Sequence, residues 1–207
     1  QRLSNTAHAL LELGDLTWVV CAPGADDGDH PGPPPDDLPV DLHRIRLERS
    51  TDAVTKLRWA TSPLPWRLHS LDVAAMRREV RAGLAGRAPF DLVLAGQLEA
   101  WTVIEPLLGA LLAPGGVAAL DIDDVESEKV RRRAATLRHA GGFGAQARSA
   151  ALRLDARRWE RVIDRALATT ITFTASELDR QRLGGRPVVV RNVVPEPEPG
   201  YARTPAT

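Results

Sequence analysis

Short apolar runs alternate with segments of helical spacing along most of the chain. Residues 3–13 place Leu3, Ala7, Leu10 and Leu11 on one helical face, and Gly14 is a natural stop. The run from Leu16 through Trp18, Val19 and Val20 to Cys21 reads as a short buried strand, with Cys21 as a small hydrophobe at its end. Residues 22–39, rich in Pro, Gly and Asp, read as a solvated loop. Residues 40–47 alternate apolar and polar side chains, the pattern of a half-exposed strand near a sheet edge. Residues 50–65 show no period and are expected to be irregular. Leu68, Leu71, Ala75, Val80 and Leu84 then predict a helix over 66–84, followed by a buried strand over 91–95. A Leu- and Ala-rich helix over 99–112 is ended by Pro114, Gly115 and Gly116, and another buried strand covers 117–121. Helices are expected over 125–138 and 147–168, separated by a flexible stretch at 139–144. A strand at 170–174 leads to Ser176, which caps a helix reaching Leu183 with Glu177 and Asp179 in its first turn. The last strand spans 187–190, and the Glu-Pro repeat after Val194 reads as a linker or tail.

Buried strands alternating with helices predict an α/β fold: a Rossmann-like parallel sheet with helices on both faces. Ligands of such sheets bind beyond the carboxyl ends of the strands. That rule selects residues 95–99, 121–129, 174–177 and 191–194 as the places to look for chemistry.

Composition narrows the classes. The 207 residues are 43% hydrophobic and 26% charged, enough for a packed core and too apolar for global disorder. Basic and acidic residues cancel at 27 each, so no overall charge draws the chain to nucleic acid or to an anionic membrane as its main partner. The single cysteine excludes a disulfide or thiolate metal site within the chain and favours a reducing, cytoplasmic compartment. No apolar run reaches the roughly 18 residues that span a bilayer, and no signal peptide is visible. Gln1 stands where an initiator Met is expected, so the natural N-terminus is expected upstream.

The segment from Asp121 to Lys129 is the most informative. Asp121, Asp123, Asp124, Glu126 and Glu128 crowd a strand end and the first turns of a helix. Carboxylates so placed suit a rim that hydrogen-bonds sugar hydroxyls, with one of them near the reacting centre, and hard carboxylate oxygens also leave a divalent metal open. The plainer alternative is capping and dipole compensation. Gly96, Gln97 and Glu99 end another strand, where Gln97 and Glu99 are placed to bond a ligand or merely to cap a turn. Arg2 starts the first helix, where a phosphate would be favoured. The basic stretches 129–133 and 153–165 offer a peripheral contact with anionic lipid, but Asp155, Glu160 and Asp164 argue instead for solvated faces with ion pairs. Trp59, Trp66, Trp101 and Trp159 are aromatic enough to stack on a sugar but suit core packing better. No HExxH, GxSxG, Walker or GxGxxG pattern is present, so no metal or cofactor is expected.

In this order the segments resemble the N-terminal domain of retaining GT-B glycosyltransferases of the family 4 type. The opening Gln1-Arg2-Leu3-Ser4-Asn5-Thr6-Ala7-His8 and the following Trp18-Val19-Val20 are similar to the family's first helix and second strand, with its first strand missing. Residues 121–129 resemble the D-x-D-D-x-x-S-x-K stretch of a bacterial subgroup tied to exopolysaccharide assembly. Thr170 to Asp179 resembles the strand followed by a Ser-Glu helix, and Val188-Val189-Val190-Arg191-Asn192-Val193-Val194 the closing strand, with Arg191 and Val193 departing from its usual Pro and Gly. The resemblance implies an acceptor-side domain over 1–194, a linker or tail over 195–207, and a nucleotide-sugar donor held by a second domain that this chain lacks. It implies transfer of a sugar, with retention, to a glycan or lipid-linked acceptor, in the cytoplasm or at the inner face of the membrane. The acceptor-side contacts would be Arg2, Gln97, Glu99, Asp121, Asp124 and Ser176, with Asp123 catalytic, and the half alone would be inactive. The alternatives left open are a non-catalytic α/β binding module and another GT-B enzyme such as a sugar-nucleotide epimerase.

Overall fold

The computed structural model describes residues 2–23, 41–47, 49–87, 89–122, 124–139 and 141–190. Helix α1 (Arg2–Leu11) leads into strand β1 (Thr17–Pro23), which pairs in parallel with β2 (Asp41–Leu47) as a two-stranded sheet. Three helices follow, α2 (Ala53–Thr61), α3 (Trp66–His69) and α4 (Val73–Gly83). Strand β3 (Phe90–Ala95) then opens a second, four-stranded sheet. It runs through α5 (Leu98–Ile104), a 3-10 turn at Glu105–Leu107, α6 (Leu108–Leu111) and β4 (Leu112–Ile122). Helices α7 (Glu126–His139) and α8 (Phe143–Thr169), β5 (Ile171–Thr174), α9 (Glu177–Arg182) and β6 (Val188–Val189) complete the described chain. All pairs in the order β3-β4-β5-β6 are parallel, so the α/β class and the parallel sheet are as expected.

The sheet differs from the expectation in two respects. It is split, because β1–β2 and β3–β6 are separate sheets. Coverage by helices is also uneven. Strand side chains alternate between faces. On one face Ala95, Leu120 and Ile122 pack with Leu98 and Trp101 of α5, Trp159, Ile163 and Ala166 of α8, and Leu183. On the opposite face Leu92, Val117, Ile171 and Val188 keep between 39% and 52% of their surface exposed. A second cluster joins the two sheets: Ile45 of β2 packs with Met76 and Val80 of α4 and with Val103, Leu107 and Leu111, and Val19, Phe90 and Val93 lie against it.

Local chemistry sets the element boundaries. Asp52 caps α2 by accepting from the Thr55 N–H at 2.6 Å, and Asp72 caps α4 by accepting from Ala75 N–H at 2.8 Å. The single helix expected over 66–84 is therefore two helices. Between them Leu71 leaves the helix to bridge Arg49, and Asp72 starts the next one. The helix α2 falls where irregular chain was expected. It buries none of its residues fully, so the core left no period there for the sequence to show.

Strand β4 begins earlier than expected, because Ala113–Gly116 form a bulge. Phe90 pairs with Leu112 but Leu92 pairs with Val117. Gly115 has φ +85° there, and a Cβ on Gly116 would stand 2.9 Å from the Phe90 carbonyl oxygen and 3.0 Å from that of Ala113. Gly116→Ala is expected to cost about 1–3 kcal/mol in a denaturant titration, since both neighbours are backbone and neither has a free rotamer to yield.

Candidate functional site

The carboxyl ends of β3 and β4 carry a chain of ionic groups. Glu99, in the first turn of α5, forms an ion pair with Arg67, with Oε1 2.7 Å from Nε. Arg67 reaches up from α3, and its other arm lies 3.9 Å from Glu126 Oε1. Glu126 opens α7 and lies 3.3 Å from Lys129 Nζ, which contacts Asp124 Oδ2 at 2.6 Å. The sequence Glu99–Arg67–Glu126–Lys129–Asp124 thus forms one rim across two strand tips. Glu99 and Glu126 are mostly covered, with side chains 14% and 18% exposed, while Arg67, Lys129 and Asp124 are about half exposed. Burial disfavours the Lys129 ammonium, but its bond to Asp124 and the charge of Glu126 outweigh that and hold its pKa above the ordinary lysine value. A rim of donors and acceptors in alternation suits a ligand rich in hydroxyls, each of which gives and takes a hydrogen bond.

The expected site residues separate on this geometry. Glu99 and Asp124 join the rim. Gln97 is exposed at the N-terminal boundary of α5, and its side chain makes no capping bond. Asp121 is only 4% exposed and sits on the sheet face opposite Leu120 and Ile122, so it does not line the rim with Asp124. Ser176 is occupied locally: it accepts from the Asp179 N–H at 3.1 Å and donates to Asp179 Oδ2 at 2.6 Å, which is capping. Asp123, residues 191–207, and the side chains of Arg2 and Cys21 lie outside the described residues. The five-carboxylate cluster is therefore divided, with Asp121 inward, Glu128 turned to Arg131, and Asp124 and Glu126 on the rim. Among the described residues no three His, Cys, Asp or Glu side chains are grouped to hold a metal ion.

Sequence reasoning missed Arg67, which no local pattern ties to Glu99. It also misread part of the basic stretch in α8. Asp155 and Arg158, expected on a solvated face, are 6% and 3% exposed. Asp155 accepts from the Trp66 N–H at 2.6 Å and so caps α3. Arg158 donates to the carbonyls of Trp59 and Ala60, both at 2.9 Å, and lies 4.7 Å over the Trp59 ring. The pair fastens α2 and α3, and with them Arg67, to α8. The signal was available: Asp155 and Arg158 share a helix face with Trp159 and Ala166, where a charge must find a partner. Trp101 and Trp159 are buried in the core and unable to stack on a ligand.

A cavity of about 180 Å³ lies away from the rim, lined by Val19, His43, Ile45, Glu79, Val80 and Leu84 between the two-stranded sheet and α4. It contains none of the expected site residues. Among the described residues no helix is long and apolar enough to cross a membrane. Compared with protein-family models, with curated proteins and with solved structures, the chain matches none.

Proposed function

We propose that the chain is the acceptor-side half of a sugar-nucleotide-dependent glycosyltransferase of the GT-B type, and that the rim at the tips of β3 and β4 faces the acceptor. The observation that carries this reading is the rim itself, a mixed array of carboxylates and cations at the end of a parallel sheet where such folds bind ligands. Glu99 and Glu126 accept from acceptor hydroxyls, while Arg67 and Lys129 donate to hydroxyl or phosphate oxygens. In the sequence Asp123 follows the last residue of β4 and precedes Asp124 of the rim. In this reading it is the carboxylate nearest the reaction.

The split sheet supports the same reading. In the doubly wound order 3-2-1-4-5-6 the first strand lies between the second and the fourth. With β1 and β2 as second and third strands and β3 as fourth, the break falls where that first strand belongs. The helix α1, leading into β1, would be its crossover. The donor nucleotide would be bound by a second domain, and transfer needs both halves because the reacting groups must be held together.

A specific observation favours a second reading, a non-catalytic binding module: Glu99, Glu126 and Asp124 are each held by a cation. Titration of the purified chain with oligosaccharides and with nucleotide sugars, followed by amide chemical shifts, tests the assignment. Glycan-induced shifts at Glu99, Asp124, Glu126 and Lys129, without a response to nucleotide sugars, are expected. Shifts confined to other surfaces, or none with any glycan, would remove the rim from the acceptor site.

A further inference from the structure

The helix α2 is turned inside out. An amphipathic helix on a folded domain normally packs its apolar stripe inward. Here Thr55 and Trp59 face the body, and Trp59 is fixed there by Arg158 and by an edge-on contact with Trp66 at 5.9 Å. At 100° per residue the opposite side carries Ala53, Val54, Leu57, Ala60 and Thr61. Leu57 is 75% exposed and Val54 55%, although both are large aliphatic side chains. The borders of this apolar side are basic, with Lys56 on one and Arg58 on the other, and the helix itself contains no acidic residue.

Its neighbour adds to that charge. Arg161 of α8 reaches the Pro63 carbonyl just beyond α2, and Arg153, Arg157 and Arg161 recur every four residues along one exposed stripe of α8. Arg153 and Arg157 have no ion pair among the described residues. The nearby acids are few: Asp52 is committed to the α2 cap, Glu160 is paired with Arg131, and Asp164 shares the α8 stripe. In the other basic stretch Lys129 and Arg131 are engaged by Asp124, Glu126, Glu128 and Glu160, while Arg132 and Arg133 have no ion pair among the described residues.

We propose that α2, with the adjoining arginine stripe of α8, docks the protein on an anionic lipid surface, inserting Leu57 and Val54 between headgroups while Lys56, Arg58, Arg157 and Arg161 engage lipid phosphates. An exposed apolar side bordered by cations is the arrangement that lies in a membrane interface. Each cation near an anionic leaflet contributes about fivefold to the binding constant. The proposal requires no transferase activity and stands apart from the acceptor rim.

Cosedimentation of the full chain with phosphatidylcholine vesicles, with and without phosphatidylglycerol, tests it. Binding is expected only when phosphatidylglycerol is present, and it should weaken as salt is raised. The variant Leu57→Glu and the double variant Lys56→Gln with Arg58→Gln are each expected to weaken binding about tenfold or more, judged from the same cation and apolar contributions. Their thermal melts should match the parent, because these side chains face solvent. Failure of the parent to bind phosphatidylglycerol vesicles overturns the proposal, as does undiminished binding by both variants. Self-association that Leu57→Glu abolishes, without vesicle binding, would assign the face to a second copy of the chain and equally overturn it.

Discussion

Arg158→Leu is expected to destabilise the fold by about 3–5 kcal/mol, the usual consequence of removing one partner from a buried ionic arrangement. Arg158 is 3% exposed and does three things at once. It satisfies the Trp59 and Ala60 carbonyls at the end of α2, covers the Trp59 ring, and its charge opposes the upward shift of Asp155. Leucine fills part of the volume and performs none of these roles, so the α2–α3 segment loses its clasp and Arg67 its mount. The deficit should depend on pH. Burial pushes the Asp155 carboxyl above its ordinary 3.8, and the Trp66 N–H and Arg158 only partly oppose that shift. A carboxyl with a raised folded-state pKa contributes stability that is full below 3.8 and is lost as pH rises through the folded value. Removing Arg158 raises that pKa further and enlarges the loss. The gap between variant and parent should therefore be smallest in acid and widen toward neutral pH. Urea titrations of both proteins across that range measure it, and a neutral-pH difference under about 1 kcal/mol would show that the clasp is not structural.

Asp123→Asn is expected to reduce sugar transfer by about two to four orders of magnitude, the range for losing a positioned proton-transferring group. The assay uses the protein expressed from its complete natural reading frame, with labelled nucleotide sugars and glycan or lipid-linked acceptors. Asn keeps the shape and removes the charge, so the melting temperature should be nearly unchanged. Loss of activity with intact folding separates a chemical role from a structural one, whereas parent-like turnover would remove Asp123 from the reaction. Glu126→Gln is a useful companion. Glu126 touches Arg67 and Lys129, so its loss should loosen the rim and raise KM more than it lowers kcat.

Much of the fold was legible because the core imposed its period on the sequence. The strand expected at 91–95 is Phe90–Ala95, and the helices expected at 125–138 and 147–168 are Glu126–His139 and Phe143–Thr169. In the last of these Ala156, Trp159, Ile163 and Ala166 recur on one buried face, and that recurrence is what a period records. Legibility failed where burial did not select. The outward side of α2 carries Val54 and Leu57, so its pattern pointed away from any core. The break at Leu71 depends on a bridge to Arg49, and the β4 bulge on two carbonyls close to Gly116, neither of which has a periodic signature.

The proposed site was only partly legible in the sequence. The rule that ligands gather at strand tips singled out Glu99 and Asp124, which the structure sets on one chain of ion pairs. It could not supply Arg67, whose position depends on α3 being clasped by Asp155. It also grouped Asp121 with its neighbours along the chain, whereas alternation in β4 turns Asp121 to the other face of the sheet. Ser176 shows the converse. A serine before an acidic turn is first a helix cap, and its hydroxyl both accepts from the Asp179 N–H and donates to the Asp179 carboxylate.

The central claim is that this parallel sheet presents an acceptor to a nucleotide sugar. It is tested most directly by the anomeric configuration of the product formed by the complete reading frame's protein, read from proton NMR of the purified conjugate. The account predicts a new glycosidic bond with the same anomeric configuration as the donor. An inverted linkage, or donor hydrolysis without any conjugate across the acceptors offered, would contradict it.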